Sequence, residues 1–412
     1  MLSAFLKNLH SLSRPVPGFK FVVVTGNESC DLDSIACATS YAYIKSKEGL
    51  NNEVIYIPYC NIPETDLDLR TEATFWLRSC QIDKKDLFYA GSLDWLLNPE
   101  CANELSVILV DHFQNEPSNA FNFCPVAEII DHHPILPGYR KPETCEFFLI
   151  EKVGSCSSLL AHELFNRLPQ ALTPPELCRL LYGAILIDTD GLSQQALELQ
   201  KATQKDVAAV QKLETFAGTA LDTGGATRAA VYREILEAKF CIDGLSLWDL
   251  LRRDCKKVTA DSETHPYIVC STITGMDFKE LLEHHDFSQE ATRFCEAQNA
   301  RLLVCVTVGL IPLCPCAHSH DDPIDTPLSK EFRRAVVVTA PAKYRNLSGS
   351  LWTYLMANAK AFLLECPLDE GCNLRGSGGE FETDIHVALI TNKAVTRKQL
   401  IPFLIAFSSS QK

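Results

Sequence analysis

Phe21-Val22-Val23-Val24-Thr25-Gly26-Asn27-Glu28-Ser29-Cys30-Asp31-Leu32-Asp33-Ser34 passes from an unbroken apolar, β-branched run into a glycine turn and two aspartates spaced by one residue. Such a run reads as a strand buried on both faces, as the strands of a parallel sheet are. The acids then emerge at the carboxyl end of the strand, the edge at which open α/β sheets hold their ligands. The same grammar recurs three times. Val107-Ile108-Leu109-Val110 delivers Asp111-His112, Val126-Ala127-Glu128-Ile129-Ile130 delivers Asp131-His132-His133, and Ala184-Ile185-Leu186-Ile187 delivers Asp188-Thr189-Asp190. One aspartate after a strand is an ordinary cap or turn residue. Four acidic tips in one half of a chain, two of them carrying histidine, point to a divalent-cation site of oxygen ligands and imidazole. That donor set suits manganese, magnesium or cobalt better than a sulfur-rich set would.

Outward from these tips, short strands alternate with helical stretches such as Ser34 to Lys45 and Ser155 to Arg167, predicting βαβ units up to about residue 200. Thr203-Gln204-Lys205-Asp206 opens a helical stretch over 203–240 that Asp222-Thr223-Gly224-Gly225 interrupts. Beyond it, Tyr267-Ile268-Val269-Cys270, Leu302-Leu303-Val304-Cys305-Val306 and Ala335-Val336-Val337-Val338 read as strands among amphipathic helices near 245–257, 277–300 and 348–364. The expected architecture is α/β in two domains. A parallel-sheet, metal-binding domain covers 1–205, a helical connection 206–240, and a smaller α/β domain 241–412, with the active site in the cleft between the two domains.

A net charge of -14 over 412 residues argues against non-specific nucleic-acid binding. Recognition of any polyanion falls to local basic groups: Arg252-Arg253 with Lys256-Lys257, Arg333-Arg334, Lys343 with Arg345, and Arg397-Lys398. No run approaches the ~20 apolar residues that span a bilayer. The first residues, Met1-Leu2-Ser3-Ala4-Phe5-Leu6-Lys7, read as neither a signal nor a transit peptide. The expectation is therefore a soluble, cytoplasmic protein without a membrane partner. The 18 cysteines are scattered through apolar stretches and read as buried free thiols. Cys314-Pro315-Cys316-Ala317-His318-Ser319-His320 alternates soft ligands without a common zinc spacing, and a loop between strands accounts for it. Arg375-Gly376-Ser377-Gly378-Gly379 is a candidate phosphate nest.

The segments Gly26 to Ile35, Val110-Asp111-His112, Asp131-His132-His133-Pro134, Asp188-Thr189-Asp190 and Thr396-Arg397-Lys398 stand in this order from near residue 20 to near residue 400. Together they resemble the DHH phosphoesterase superfamily, in the branch that holds manganese-dependent inorganic pyrophosphatases, yeast-type exopolyphosphatases and prune proteins. The resemblance implies two divalent cations, magnesium or manganese with cobalt a further candidate. Asp31 and Asp111 would hold one, and Asp33, Asp111, His132 and Asp188 the other, with Asp111 bridging. A hydroxide activated between the cations would be the nucleophile. His133 would face the substrate and His112 would support the ligands. Thr396, Arg397 and Lys398 would bind the substrate, with Arg375 a weaker candidate. Arg70 and Glu72, in Asp68-Leu69-Arg70-Thr71-Glu72, resemble an exopolyphosphatase segment near the site.

Asn27 stands where the pyrophosphatases carry a metal-binding histidine, and an amide is a far weaker ligand. The resemblance therefore implies a monomeric exopolyphosphatase that releases orthophosphate from the end of inorganic polyphosphate. A prune-like phosphodiesterase acting on cyclic nucleotides or short phosphate chains stays open, as do an inorganic pyrophosphatase and an inactive scaffold. Lys201 to Asp206 is itself prune-like.

Overall fold

In the run Lys20–Thr25, β1, every residue after the first is buried, as its β-branched composition requires. The structure is a computed structural model that describes residues 1–11, 18–48, 53–98, 105–114, 119–135, 138–217, 227–259, 267–312, 330–358, 364–365, 373–375, 384–391 and 397–410. The chain divides into two units, Met1–Ala238 and Lys239–Lys412.

In the first unit β1 is joined by β2 (Val54–Cys60), β3 (Phe88–Tyr89), β4 (Leu105–Val110), β5 (Val126–Asp131) and β6 (Phe147–Ile150). All pairings are parallel, in the order β3-β2-β1-β4-β5-β6. The order reverses direction at β1 and β4, so the crevice beyond their carboxyl ends is the topological switch point where sheets of this kind bind ligands. One face of the sheet, with Val22, Val24, Ile108, Val110 and Ile130, packs on the helices Leu32–Glu48, Cys156–Arg167 and Pro175–Asp188. The other, with Phe21, Val23, Ile57, Leu109 and Ile129, packs on Leu93, Phe113 and Phe121.

The fourth apolar run differs from its sequence reading. Residues 184–187 belong to the helix Pro175–Asp188, so Asp188 ends a helix and not a strand. Leu177 through Ile187 is buried at every position but Arg179. A helix buried all round has the same continuous apolar text as a central strand, and periodicity does not separate them. Pro174 and Pro175 are the distinguishing marks, because proline fits the first turn of a helix.

The second unit holds a sheet in the order β11-β13-β10-β9-β8-β7, with β12 also on β13. The strands are β7 (Cys255–Val258), β8 (Ile268–Thr274), β9 (Leu302–Pro312), β10 (Lys330–Thr339), β11 (Leu364–Glu365), β12 (Asn373–Arg375) and β13 (Asp384–Ile390). Among the described strands of this unit, only β8 and β9 pair in parallel. The helix expected over 245–257 stops at Arg253 and yields to β7, and that expected over 277–300 is two helices, Phe278–Glu283 and Phe287–Ala297. Each of these helices starts on its own aspartate or serine cap or break, which the apolar spacing does not register. The described cysteines are free thiols, all buried except Cys241 and Cys255. Among the described residues no helix is long and apolar enough to cross a membrane.

Candidate metal centre

Gly26 turns the chain out of β1 so closely over the next helix that a Cβ there would lie 2.4 Å from that of Ser34. This approach lets the first turn of the Leu32–Glu48 helix reach β4. Ser34 Oγ donates to Asp111 Oδ2 at 2.6 Å, and Asn27 Nδ2 donates to the same oxygen at 2.7 Å. The orientation of the Asn27 amide follows from its other end, because Oδ1 accepts the Ser29 and Cys30 N–H groups, both obligate donors. Asn27 therefore presents an N–H to Asp111, and its carbonyl oxygen is occupied.

Asp111 follows β4 directly, with φ at +62°, a left-handed conformation that aspartate tolerates better than most residues. Its N–H still bonds to the Ile130 carbonyl of β5 at 2.9 Å, so the two strand tips are tied together. Asp111 Oδ1 lies 3.3 Å from His132 Nε2 and 3.9 Å from His133 Nδ1. His132 Nδ1 donates to the Val153 carbonyl at 3.0 Å, which fixes the ring and leaves Nε2 toward the carboxylate, as in histidine ligands held by an outer partner. His133 Nδ1 donates to Asp131 Oδ1 at 2.9 Å. Asp131 also caps the tip, accepting the His132 and His133 N–H groups, and its Oδ2 is buried with no hydrogen-bond partner. Ligand atoms of Asp111, Asp131, His132 and His133 all lie within 4.8 Å of one another.

The electrostatics match a cation site. Burial and the charges of Asp33 and Asp31 push the Asp111 carboxyl up, against the pull of the His132 hydrogen bond. Burial alone would lower His132, but the Asp111 bond and the Asp33 charge outweigh it and push the imidazole up to about 11. Hard oxygens, one anchored imidazole and an orphaned buried carboxylate oxygen suit a divalent cation such as manganese or magnesium.

The other expected ligands stand differently. Asp33 is buried against the start of the Cys156–Arg167 helix, where Oδ1 accepts Ser155 Oγ, Ser157 N and Ser157 Oγ and Oδ2 accepts Cys156 N, each within 2.8 Å. Asp31 Oδ1 accepts Ser34 N at 3.1 Å, capping its own helix. Asp188 is half-buried at the end of its helix. His112 donates Nδ1–H to Val110 O at 2.9 Å and is lowered by burial, a supporting position beside the cluster. Arg70 is buried and clamps the loop after β1, giving Nε and Nη2 to Ser29 O and Nη1 to Asp66 O. Glu72 lies buried in the following helix.

Sequence reading counted Asp131 among the acidic tips but gave it no place in the ligand set, and it passed over Ser34 as a site residue. The Ser155–Ser157 cradle carried no motif at all. In the second unit Arg397 opens the helix Arg397–Ser410 and bonds to Asp254. Arg375 lies on β12 and Lys398 on that last helix. Thr396, Cys314 to His320, Gly376 to Gly379 and Asp222 to Gly225 lie outside the described residues.

Residues 21–185 match the model described as "DHH family, N-terminal domain", and residues 233–407 match "DHHA2 domain". The chain is 31% identical over 302 residues to a protein named "Exopolyphosphatase PRUNE1" from Rattus norvegicus, covering 73% of this chain and 61% of that one. It therefore spans about three fifths of the rat protein's length. A "Putative exopolyphosphatase" from Schizosaccharomyces pombe is 32% identical over 306 residues, covering 71% of this chain and 73% of the other. A "Probable manganese-dependent inorganic pyrophosphatase" from Brevibacillus brevis is 28% identical over 239 residues, covering 57% and 65%.

Proposed function

Since the chain belongs to the DHH family, we propose that it is a metal-dependent exopolyphosphatase, removing the terminal phosphoryl group of inorganic polyphosphate as orthophosphate. The observation that carries this reading is the paired strand tips, where Asp111 and His132 turn ligand atoms toward each other at 3.3 Å beside His133 on Asp131. Asp111 and His132 are proposed as the central ligands for manganese or magnesium, with Asp31, Asp33 and Asp188 completing the set for two cations. Cations held there supply Lewis acidity toward the phosphoryl oxygens and an activated water.

The chain's own residues do the rest. Asn27 and Ser34 hold Asp111 Oδ2, so the carboxylate is preorganised before the reaction. Asp131 holds His133 at Nδ1, leaving Nε2 to hold or deliver a proton at a phosphoryl oxygen. Water adds to the terminal phosphorus, the anhydride bond breaks, and the shortened chain leaves with its bridging oxygen. Arg397 and Lys398 are assigned to the polyanion's charge on the strength of their motif. The identity of residue 27 favours polyphosphate over pyrophosphate, since its amide gives an N–H to Asp111 where a histidine would offer a lone pair to a cation.

The test is phosphate release by the purified protein with magnesium and then manganese, against long-chain polyphosphate, pyrophosphate and a cyclic nucleotide, with the residual polymer sized on a gel. Stepwise orthophosphate release from polyphosphate is expected. Preference for the cyclic nucleotide or for pyrophosphate would replace this reading with the corresponding relative's, and inactivity on all three would leave a scaffold.

A further inference from the structure

Arg397 starts its helix in an unfavourable place for a cation. The first turn of the Arg397–Ser410 helix contains no acidic residue, and the exposed N–H groups there carry the positive end of the helix dipole. The helix is held down by Leu400, Leu404 and Phe407, an i, i+4, i+7 stripe buried with Val258, Ile268 and Cys270 of β7 and β8. That docking delivers Arg397 to the start of β7. There Nη1 donates to the Asp254 carbonyl at 2.5 Å and Nη2 to Asp254 Oδ1 at 2.7 Å. The Asp254 carbonyl also accepts Thr272 N–H at 2.9 Å, so the clamp is part of the β7–β8 ladder and not of a mobile side chain. The Arg397 side chain is 14% exposed. A guanidinium has five N–H donors, and among the described residues Asp254 takes up two of those of Arg397.

We propose that Asp254 is a positioning residue for Arg397, setting the plane of the guanidinium so that its remaining donors meet the phosphate oxygens of a polyanionic substrate. This rests on the reading of Arg397 as a polyphosphate-binding residue. The opposing possibility is that Asp254 is a competing anion that the substrate must displace, and the two predict opposite signs. If Asp254 positions, losing it loosens the guanidinium and weakens substrate binding. If it competes, losing it frees a cation and tightens binding.

The experiment is steady-state kinetics on magnesium tripolyphosphate for wild type, Asp254→Ala, Asp254→Asn, Arg397→Ala and the double variant Asp254→Ala/Arg397→Ala, each checked by thermal melt. Asp254→Ala should raise KM about fivefold to tenfold with kcat changed less than about twofold, and the double variant should be no worse than Arg397→Ala, as for two residues acting as one unit. Asp254→Asn keeps an acceptor at Oδ1 and should fall between wild type and Asp254→Ala, which preserves the test if the alanine variant folds poorly. A KM that is unchanged or lower in the Asp254 variants, while Arg397→Ala raises it, overturns the positioning role alone. No effect of Arg397→Ala overturns the substrate-binding reading of Arg397 beneath it.

Discussion

The segment that leaves β1 and the tips of β4 and β5 each bury an aspartate at about 2% exposure, Asp33 in the first and Asp111 in the second. Their surroundings differ in kind. Asp33 is met by two backbone N–H groups and two hydroxyls at the start of a neighbouring helix, a full complement of donors with the dipole's positive end behind it. Asp111 has amide and hydroxyl donors on Oδ2, while its Oδ1 faces two imidazoles, the nearer of which, His132, can donate to it. Burial alone therefore does not set how free a proposed ligand's oxygens are to take a cation. What separates the two regions is whether the donors around the acid are permanent parts of the fold or groups that a cation can displace.

The hardest blow to this contrast comes from neutralising each acid in turn. Asp111→Ala should lower phosphate release by at least about 10³-fold, roughly 4 kcal/mol in the barrier, and it also lowers the cation-free melt, since Asn27, Ser34 and His132 lose their acceptor. Asp33→Ala should lower phosphate release as well, as for a proposed ligand, and in addition strand four buried donors and cost about 2–4 kcal/mol of stability, read as a lowered urea midpoint in cation-free buffer. If Asp33→Ala melted like wild type and Asp111→Ala were unfolded, the contrast would be reversed.

A finer test concerns residue 27. Asn27→His replaces an N–H donor to Asp111 by a ring with a lone pair, and should raise pyrophosphate turnover about tenfold, roughly 1.4 kcal/mol, with polyphosphate turnover little changed. Equal rates on pyrophosphate in both proteins would remove position 27 as a selector. The smallest effect is on pH. His132 is pushed up to about 11, so the stability that its protonated ring contributes in the cation-free protein is lost as pH climbs from 6.5 toward 11, while on the acid side it also falls once Asp111, itself pushed up, takes a proton. The stability difference between wild type and His132→Gln should therefore shrink from pH 6.5 upward, and a difference that grew with pH would contradict the assignment of the proton.

Much of the first unit was legible in the chain. β1, β4 and β5 lie where their β-branched runs end in Gly26, Asp111 and Asp131, and the helices Leu32–Glu48 and Cys156–Arg167 fall within a few residues of the expected stretches. Asp188 was misread because a helix buried all round carries no 3.6-residue stripe. The Asp254 carbonyl that receives Arg397 was invisible for another reason. The helix expected there stops at Arg253, and its end follows from local capping and strand pairing that apolar spacing does not encode.

The sequence by itself determined which acids and histidines leave which apolar runs, and in what order, because strand and helix burial imposes a pattern along the chain. Only the tertiary structure decided which of those carboxylates have their lone pairs filled. The donors that fill Asp33 come from residues 155 to 157, more than 120 positions away, and those that hold Asp111 come from Asn27 and Ser34. Hydrogen-bond saturation is a property of groups brought together across the sheet, and no local periodicity records it.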